Sequence, residues 1–312
     1  LDQKYLLENV KSLGYKIILF DKNKNCFASK QVDLFLNIDF QNYKKIIFEL
    51  KKFKKKNNIQ YHGILTMGSD IPIILTKIAK ALNLFSQNLY SAKVSQNKIL
   101  MKKFFKKHKI KTPNFAIVDN FNKAKKFFLN NKLSEAIIKP FNSSGSRGVF
   151  RIKNLNELKV YKKIIYKNYN QNKIIIEEFI DGPQLSTESI LFNNNIFTPG
   201  FSLRNYLDTK YLLPQVIENG GVMPNKLDRY RNKVEAIKLK LAKLLKIKSG
   251  VIKGDFVLDR NNNVQIIEFT TRLSGGDFSE SLAPLSNGIN YVKELIKIYA
   301  GREITSKNLS RK

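Results

Sequence analysis

Two acidic residues late in the sequence lie on apolar runs that the polar tetrapeptide RNNN (260–263) separates. Asp255 belongs to the first run and Glu268 to the second, and the pattern predicts a β-hairpin. We expect Asp259 to pair with Val264, which places the two carboxylates opposite each other on one side of the hairpin. Because a cation relieves their repulsion, and Mg²⁺ binds one or two carboxylates together with substrate phosphates, the hairpin is a candidate metal site. The alternative is a surface hairpin with solvated charges.

The residues after Glu268 add groups that suit phosphate binding. Strand alternation predicts that Thr270 and Arg272 share the face of Glu268. The Arg guanidinium is shaped for bidentate contact with phosphate or carboxylate. The loop that follows contains Ser274, Gly275 and Gly276, whose backbone N–H groups are able to hold an anion.

A second candidate site is a lysine followed by a loop of small residues. Lys139 lies in the apolar strand Ala136–Phe141, where a lone ammonium is costly unless it meets an anion. The loop that follows allows close backbone approach to phosphate oxygens; its small residues are Ser143, Ser144, Gly145, Ser146 and Gly148. It is not a P-loop, since the pattern GxxxxGK[ST] is absent from the sequence. The alternative is an ordinary hairpin tip.

A third group of polar residues follows the apolar strand Ile174–Phe179. The strand ends in Glu177 and Glu178, and the chain then turns and reaches Glu188. These carboxylates suit a purine amino group or ribose hydroxyls; the alternative is that they only aid solubility. Arg204 follows a later strand and is a candidate for binding a substrate carboxylate.

The elements that position these residues predict an α/β protein. In the first part, strands and helices alternate in a rhythm that favours a parallel sheet. The predicted strands are Lys16–Phe20, Gly63–Met67 and Leu84–Phe85, and the predicted helices are Tyr5–Leu13, Phe40–Lys55 and Ile71–Leu82. Because such sheets usually begin on a strand, we expect a first strand and its Gly-rich turn to precede Leu1.

The composition describes a globular chain with a strong basic excess. Its 312 residues are 43% hydrophobic and carry a net charge of +31. No segment approaches the ~20 apolar residues of a membrane span, and the single cysteine, Cys26, suits a reducing cytoplasm. The lysines are spread over helix faces, so we interpret the charge as compositional. A basic nucleic-acid-binding protein with a degenerate nucleotide fold is the alternative of another class.

Taken together, the motifs resemble the ATP-grasp superfamily in order and spacing. They are Lys98, IIKP…SSGSRGV (137–149), IIEEFIDG…STE (175–188) and GDFVLD…VQIIEFTTRLSGG (254–276). The resemblance covers nearly the whole chain and is closest to the carboxylate–amine ligases, near biotin carboxylase and the carbamoyl-phosphate-synthase-like proteins. It implies a Rossmann-like domain at residues 1–92 and a two-lobed α+β ATP-grasp domain at 93–312, with a mobile lid at about 125–182.

The resemblance also implies roles for individual residues. Lys98 and Lys139 would contact the ATP phosphates beneath a lid formed by residues 143–148. The adenine would be bound by Glu177, Glu178 and Ile180, and the ribose by Glu188. Asp255 and Glu268 would bind Mg²⁺ or Mn²⁺, with Thr270 as a further ligand. Arg272, with Lys139, would act on the transferring phosphate, and Arg204, Ser274, Gly275 and Gly276 would face the substrate.

Two positions depart from the family pattern. Thr270 stands where the family usually has Asn, and Gln184 where it often has Glu, so the second metal is in question.

The implied reaction is ATP-dependent activation of a carboxylate as an acyl phosphate, which an amine then attacks with release of ADP and phosphate. The expected partners are small-molecule carboxylates and amines; we also consider a homodimer. A bicarbonate-activating enzyme like biotin carboxylase is the alternative within enzymes, disfavoured because little chain follows the hairpin.

Overall fold

The computed structural model describes residues 3–206, 209–275 and 277–305 of the chain. Within these ranges the chain contains both helices and strands. In chain order they are α1 (Lys4–Ser12), β1 (Ile18–Phe20), β2 (Leu34–Leu36), α2 (Tyr43–Asn57), α3 (Pro72–Ala81), α4 (Leu89–Gln96), α5 (Lys98–Lys107), β3 (Phe115–Val118), α6 (Phe121–Asn130), β4 (Ala136–Lys139), β5 (Phe150–Ile152), α7 (Leu155–Tyr169), β6 (Ile174–Glu178), β7 (Gln184–Phe192), β8 (Asn195–Arg204), α8 (Thr209–Leu212), β9 (Gly221–Val222), α9 (Arg231–Leu245), β10 (Gly250–Leu258), β11 (Val264–Thr270), α10 (Ala283–Asn287) and α11 (Tyr291–Tyr299). None of the helices described is long and apolar enough to cross a bilayer.

The first part of the chain contains a smaller sheet than the sequence predicts. Among the residues that the structure describes in this part, only β1 and β2 pair, in parallel, and they pack with α2 and α3 around Ile46 and Ile78. The predicted strand at 63–67 is extended chain whose one bridge joins Met67 to Leu273. The predicted strand at 84–85 is irregular as well. Both predictions were wrong because apolar side chains here pack against helices while the backbone lacks a neighbouring strand.

The second unit is a four-stranded antiparallel sheet in the order β3-β6-β4-β5. Its core packs α6 and α7 against one face of the sheet, with Ile138, Ile152 and Ile176 fully buried. The predicted hairpin around residues 143–148 is confirmed, since β4 pairs antiparallel with β5. The unit also includes β3 and the start of α6, which precede residue 125.

The third unit is a five-stranded antiparallel sheet in the order β11-β10-β7-β8-β9. One face packs on α5 and α9 through side chains such as Ile252, Phe256 and Leu241. Strand alternation sends Lys253, Asp255 and Val257 to the opposite face. That face looks toward the four-stranded sheet and carries the candidate site.

Candidate active site

A cavity lies between the two antiparallel sheets, and its empty space of about 910 Å³ includes the part that is open to solvent. The predicted site residues that line it are Lys98, Lys139, Ser143, Ser144, Gly145, Ser146, Glu177, Glu178, Ile180, Arg204, Asp255 and Glu268. Residues separated by up to 170 positions in the sequence are therefore brought to one cavity, because side chains of both sheets line it.

In the hairpin β10–β11, Asp255 pairs with Glu268 as predicted, but the register nearer the turn differs from the prediction. Val264 faces Leu258 rather than Asp259, and a β-bulge next to Asp255 restores the expected alignment. Asp259 belongs to the turn because its carboxylate accepts hydrogen bonds from the backbone N–H groups of residues 261 and 263, both at 2.9 Å. The bulge inserts one extra residue in β11 and thereby returns Glu268 to the cavity face.

Asp255 is buried among cations. Its carboxylate lies 3.1 Å from Arg204 and 3.1 Å from Lys253, and it accepts a hydrogen bond from Ser186 at 3.0 Å. Burial alone would raise the pKa of this carboxyl, but Arg204 and Lys253 hold it below its usual value. Asp255 is therefore ionised at neutral pH, as a metal ligand must be. Lys253 was not predicted; its position two residues before Asp255 on one strand face was the available signal.

Glu268 forms an ion pair with Lys98 at 2.8 Å, and Lys98 also donates to the carbonyl of Ser143 at 3.0 Å. Burial acts to raise the pKa of the Glu268 carboxyl, but Lys98 and Lys139 hold it far below its usual range. Reciprocally, Glu268 outweighs the effect of burial and raises the pKa of Lys98. Thus Lys98 joins the hairpin to the small-residue loop at one end of the cavity.

The donor set fits a magnesium ion that is completed by phosphate oxygens. In the described part of the chain, no group of three or more His, Cys, Asp or Glu residues is arranged to hold a metal. Two facing carboxylates together with substrate phosphates are, however, what Mg²⁺ commonly uses. Thr270 lies opposite Lys253 on the same face, and within the described residues its buried hydroxyl oxygen has no hydrogen-bond partner.

Lys139 and Glu177 occupy the floor of the cavity as a buried ionic cluster. Glu177 lies 2.9 Å from both Lys139 and Lys102; Lys102 also donates to the hydroxyl of Thr112 at 2.6 Å. Burial lowers the pKa of Lys102 to about 8, although Glu177 opposes this. The two lysines in turn outweigh burial and lower the pKa of Glu177. Lys102 was missed because its helix, α5, reads as a basic amphipathic surface.

The loop between β4 and β5 covers one side of the cavity. Gly145 and Ser146 adopt left-handed conformations, with φ of 63° and 55°, so the loop depends on Gly145 to turn without strain. Arg147 donates to the backbone carbonyl of Ser144 at 3.1 Å and adds a guanidinium to the cavity wall. Gly148 has a different role, because a Cβ there would come within 2.7 Å of the Tyr169 ring.

The other end of the cavity is formed by the end of β6. Glu178 exchanges hydrogen bonds with Asn114, whose backbone N–H donates to the carboxylate at 2.9 Å. Ile180 follows in the cavity wall together with Val257. Apolar walls beside exposed backbone suit a flat aromatic base.

Glu188 lies apart from the other predicted ATP contacts. It is fully buried, and its carboxylate accepts hydrogen bonds from the Ser274 backbone N–H and the Ser279 hydroxyl, both at 2.6 Å, and from the Tyr291 hydroxyl. Both oxygens are thus engaged in joining β7 to α11 and the preceding loop. This position does not favour the ribose contact that the resemblance implied.

Arg204 reaches Asp255 and also forms an ion pair with Glu218 in the connection between β8 and β9. The same connection contacts the hairpin β4–β5, where the Val216 backbone N–H donates to the Val149 backbone carbonyl at 3.0 Å. Arg204 therefore stands at the Asp255 end of the cavity, where two acids hold it.

Arg272 lies just beyond the end of β11, with its guanidinium Nε 3.8 Å from a carboxylate oxygen of Asp70. Asp70 was not predicted, because it belongs to the first part of the chain and has no motif around it. Ser274 binds Glu188 through its backbone, and Gly275 follows it in irregular chain. Gly276 lies outside the described residues.

Known proteins resemble this chain in sequence and in fold. A family model described as phosphoribosylglycinamide synthetase, ATP-grasp (A) domain, matches residues 96–206. A D-alanine–D-alanine ligase of Prochlorococcus marinus (strain MIT 9301) is 23% identical over 270 residues, which cover 81% of this chain and 70% of that protein.

Solved structures share the fold across almost the whole chain. The L-amino acid ligase of Bacillus licheniformis is 18% identical and superposes with a TM-score of 0.79, covering 98% of this chain and 74% of its own. The biotin carboxylase domain of the Hydrogenobacter thermophilus 2-oxoglutarate carboxylase, solved with MgADP and bicarbonate, is 15% identical with a TM-score of 0.77, covering 98% and 69%. These likenesses show that the chain has the fold of ATP-grasp proteins, and the family model matches the segment that holds Lys98 and Lys139.

Proposed function

We propose that this protein is an ATP-dependent ligase that activates a carboxylate as an acyl phosphate and joins it to an amine. The observation that carries the proposal is the convergence of Lys98, Lys139, Asp255 and Glu268 on one cavity between two sheets. Two lysines for phosphate and two facing carboxylates for Mg²⁺ are what phosphoryl transfer requires, since its catalysis is mainly positioning and charge neutralisation.

The residues divide the nucleotide between the two ends of the cavity. Ile180 and the backbone at Glu178 would receive the adenine, and Lys98 and Lys139 would bind the phosphates under the loop of residues 143–148. Asp255 and Glu268 would hold Mg²⁺, which supplies charge neutralisation to the phosphate oxygens when it is bound. The ion pair between Lys98 and Glu268 would then be replaced by contacts to ligand.

The chemistry needs no nucleophile from the protein. A substrate carboxylate oxygen forms a bond to the γ-phosphorus as the bond to ADP breaks. The lone pair of the neutral amine nitrogen then attacks the carbonyl carbon of the acyl phosphate, inorganic phosphate leaves with the bonding electrons, and the nitrogen loses one proton to water. Arg272 would stabilise the negative charge on the phosphate in both steps. The lid hairpin would keep water from the acyl phosphate.

The relatives include ligases of amino acids and a biotin carboxylase domain, which supports a reaction that activates a carboxylate. The D-alanine–D-alanine ligase and the L-amino acid ligase favour amino acids as substrates. The biotin carboxylase domain keeps bicarbonate as a second candidate acid. That domain is described as a dimer containing MgADP; a homodimer and the use of Mg²⁺, with Mn²⁺ as a substitute, are proposals for this chain. We also propose that the chain divides between residues 92 and 93 into a Rossmann-like unit and the ATP-grasp domain.

A screen of ADP release tests the proposal. The full chain would be incubated with MgATP and either single or paired amino acids and small carboxylates, with bicarbonate as a separate arm. We expect ADP and phosphate to form only when both an acid and an amine are present. Release that depends on bicarbonate alone would favour the carboxylase-like reaction. No release with any mixture, together with tight binding of generic DNA near physiological salt, would contradict an enzymatic function.

A further inference from the structure

The loop that carries Asp70 is fastened to the segment that carries Arg272. Met67 forms a parallel bridge with Leu273, and the Gly68 backbone N–H donates to the Leu273 carbonyl at 3.1 Å. Through these contacts the first part of the chain contributes an acid to the end of β11. Asp70 is positioned by the backbone, not by a flexible surface loop.

Three residues around this contact have buried polar atoms without a partner. The Asp70 Oδ1 and Arg272 Nε atoms are 3.8 Å apart, which is too long for a hydrogen bond. Gln96 donates through its amide nitrogen to the Asp70 backbone carbonyl at 3.2 Å, and its own Oε1 is buried. Within the described residues, Asp70 Oδ1, Gln96 Oε1 and Arg272 Nε all lack a hydrogen-bond partner. Buried polar groups in native proteins are nearly always paired, so this set points to a ligand.

The set lies next to the Glu268 end of the cavity, although none of its three residues lines that cavity. Gln96 is two residues before Lys98, which contacts Glu268, and Asp70 interacts electrostatically with both of those residues. Burial raises the pKa of the Asp70 carboxyl, although Arg272 and Lys98 lower it. A cationic ligand beside Asp70 would compensate for that burial.

We propose that Asp70 and Gln96 bind the amine substrate in its ammonium form, opposite Arg272, and so select primary amines that are cationic at neutral pH. This rests on the proposed ligase function. An ammonium group has N–H donors for the Asp70 and Gln96 oxygens, whereas the Arg272 Nε–H matches an oxygen of the acyl phosphate. Because Asp70 and Arg272 are adjacent, the nitrogen is held next to the carbon that it attacks, and loss of one proton from the ammonium to water frees the lone pair for that attack.

The competing interpretation is that Asp70 only orients Arg272. The two interpretations differ in their consequences for an uncharged nucleophile. Hydroxylamine is neutral near pH 7 and traps an acyl phosphate as a hydroxamate without needing an acid to bind a positive charge. An Asp70 variant that binds amines poorly would still form hydroxamate, whereas a misplaced Arg272 would impair both reactions.

The test compares wild-type enzyme with Asp70→Asn, which keeps the size of the side chain and removes its charge. Asp39→Asn is the matched control, because Asp39 caps a short 3₁₀ turn in the same part of the chain and Asn caps equally well. Each protein would be assayed with MgATP and amino acids as acids, with either hydroxylamine or a panel of amino acids and ammonium chloride as nucleophile. Thermal melting would check folding.

We expect Asp70→Asn to raise the KM for the amine about tenfold to a hundredfold, the usual effect of a lost hydrogen bond to a charged group. Hydroxamate formation and the melting temperature should match those of the control. An equal loss in both reactions, or no change in either, overturns the assignment. Wild-type enzyme that forms hydroxamate but uses no amine of the panel also overturns it. If wild-type enzyme forms no hydroxamate with any acid, the proposed ligase function itself fails.

Discussion

Two glutamates face the same cavity, and their surroundings differ. Glu268 has 34% of its side chain exposed and one cation, Lys98, in contact. Glu177 has 3% exposed and lies between Lys102 and Lys139. A partly exposed ion pair can exchange its partner at low cost, whereas a buried carboxylate that balances two lysines cannot. We infer that the Glu268 end is built to exchange ligands during the reaction and the Glu177 end to hold its lysines in place.

The largest effect on activity is expected at Glu268. Glu268→Gln keeps the size of the side chain but removes the charge that Mg²⁺ requires, so ADP formation should fall by about three orders of magnitude or more. The unfolding free energy should fall by less than in Glu177→Gln, because the lost ion pair is partly exposed. Steady-state ADP release over a range of Mg²⁺ concentrations measures the activity, and urea unfolding measures the unfolding free energy.

The control for this variant is Glu8→Gln on the exposed face of α1, where the partner Lys4 is 3.8 Å away. It should retain full activity. If Glu268→Gln turned over at the wild-type rate, the hairpin would not hold the metal, and the inferred difference between the two glutamates would be wrong.

The largest effect on stability is expected at Glu177. Glu177→Gln leaves Lys102 and Lys139 buried without a counter-charge, and removing one partner of a buried pair costs about 3–5 kcal/mol. Urea unfolding would measure the loss. Glu178→Gln is the matched control, because glutamine retains an oxygen that accepts from the Asn114 backbone.

Kinetics of the same variant test the role that the resemblance implied for Glu177. If its carboxylate received the adenine amino group, Glu177→Gln would raise the KM for ATP and leave stability close to that of Glu178→Gln. A destabilised variant whose folded fraction keeps its KM for ATP would instead agree with a structural role.

The sequence predicted the antiparallel units well and the first part of the chain poorly. Strands β10 and β11 were located from two apolar runs separated by polar turn residues, although β10 is buried on both faces and only β11 comes close to alternation. The segment 63–67 has a similar apolar pattern, yet only Met67 has a bridge partner. Apolar composition indicates burial, but whether another strand lies alongside depends on distant residues that a local pattern does not contain.

The site shows the same division between local and distant information. Asp255 and Glu268 were found because a hairpin fixes which residues face each other, although the bulge next to Asp255 was not foreseen. Lys102 and Asp70 were missed because their partners, Glu177 and Arg272, are 75 and 202 positions away in the sequence. Glu188 matched a family position, but its burial with Ser279 and Tyr291 depends on packing of α11.

The smallest effect is expected at Thr270. This residue tests the Glu268 end of the cavity, where we infer that ligands exchange. Its buried hydroxyl oxygen, unpaired within the part of the chain described, lies on the face of Glu268, and an amide oxygen there would be a stronger ligand for a hard cation. Thr270→Asn should therefore lower the Mg²⁺ concentration for half-maximal ADP release about two- to fivefold, a gain of roughly 0.5–1 kcal/mol. Thr270→Val, which keeps the shape and removes the oxygen, should raise it. Equal Mg²⁺ dependence in all three proteins would mean that Asp255 and Glu268 supply every protein ligand of the metal.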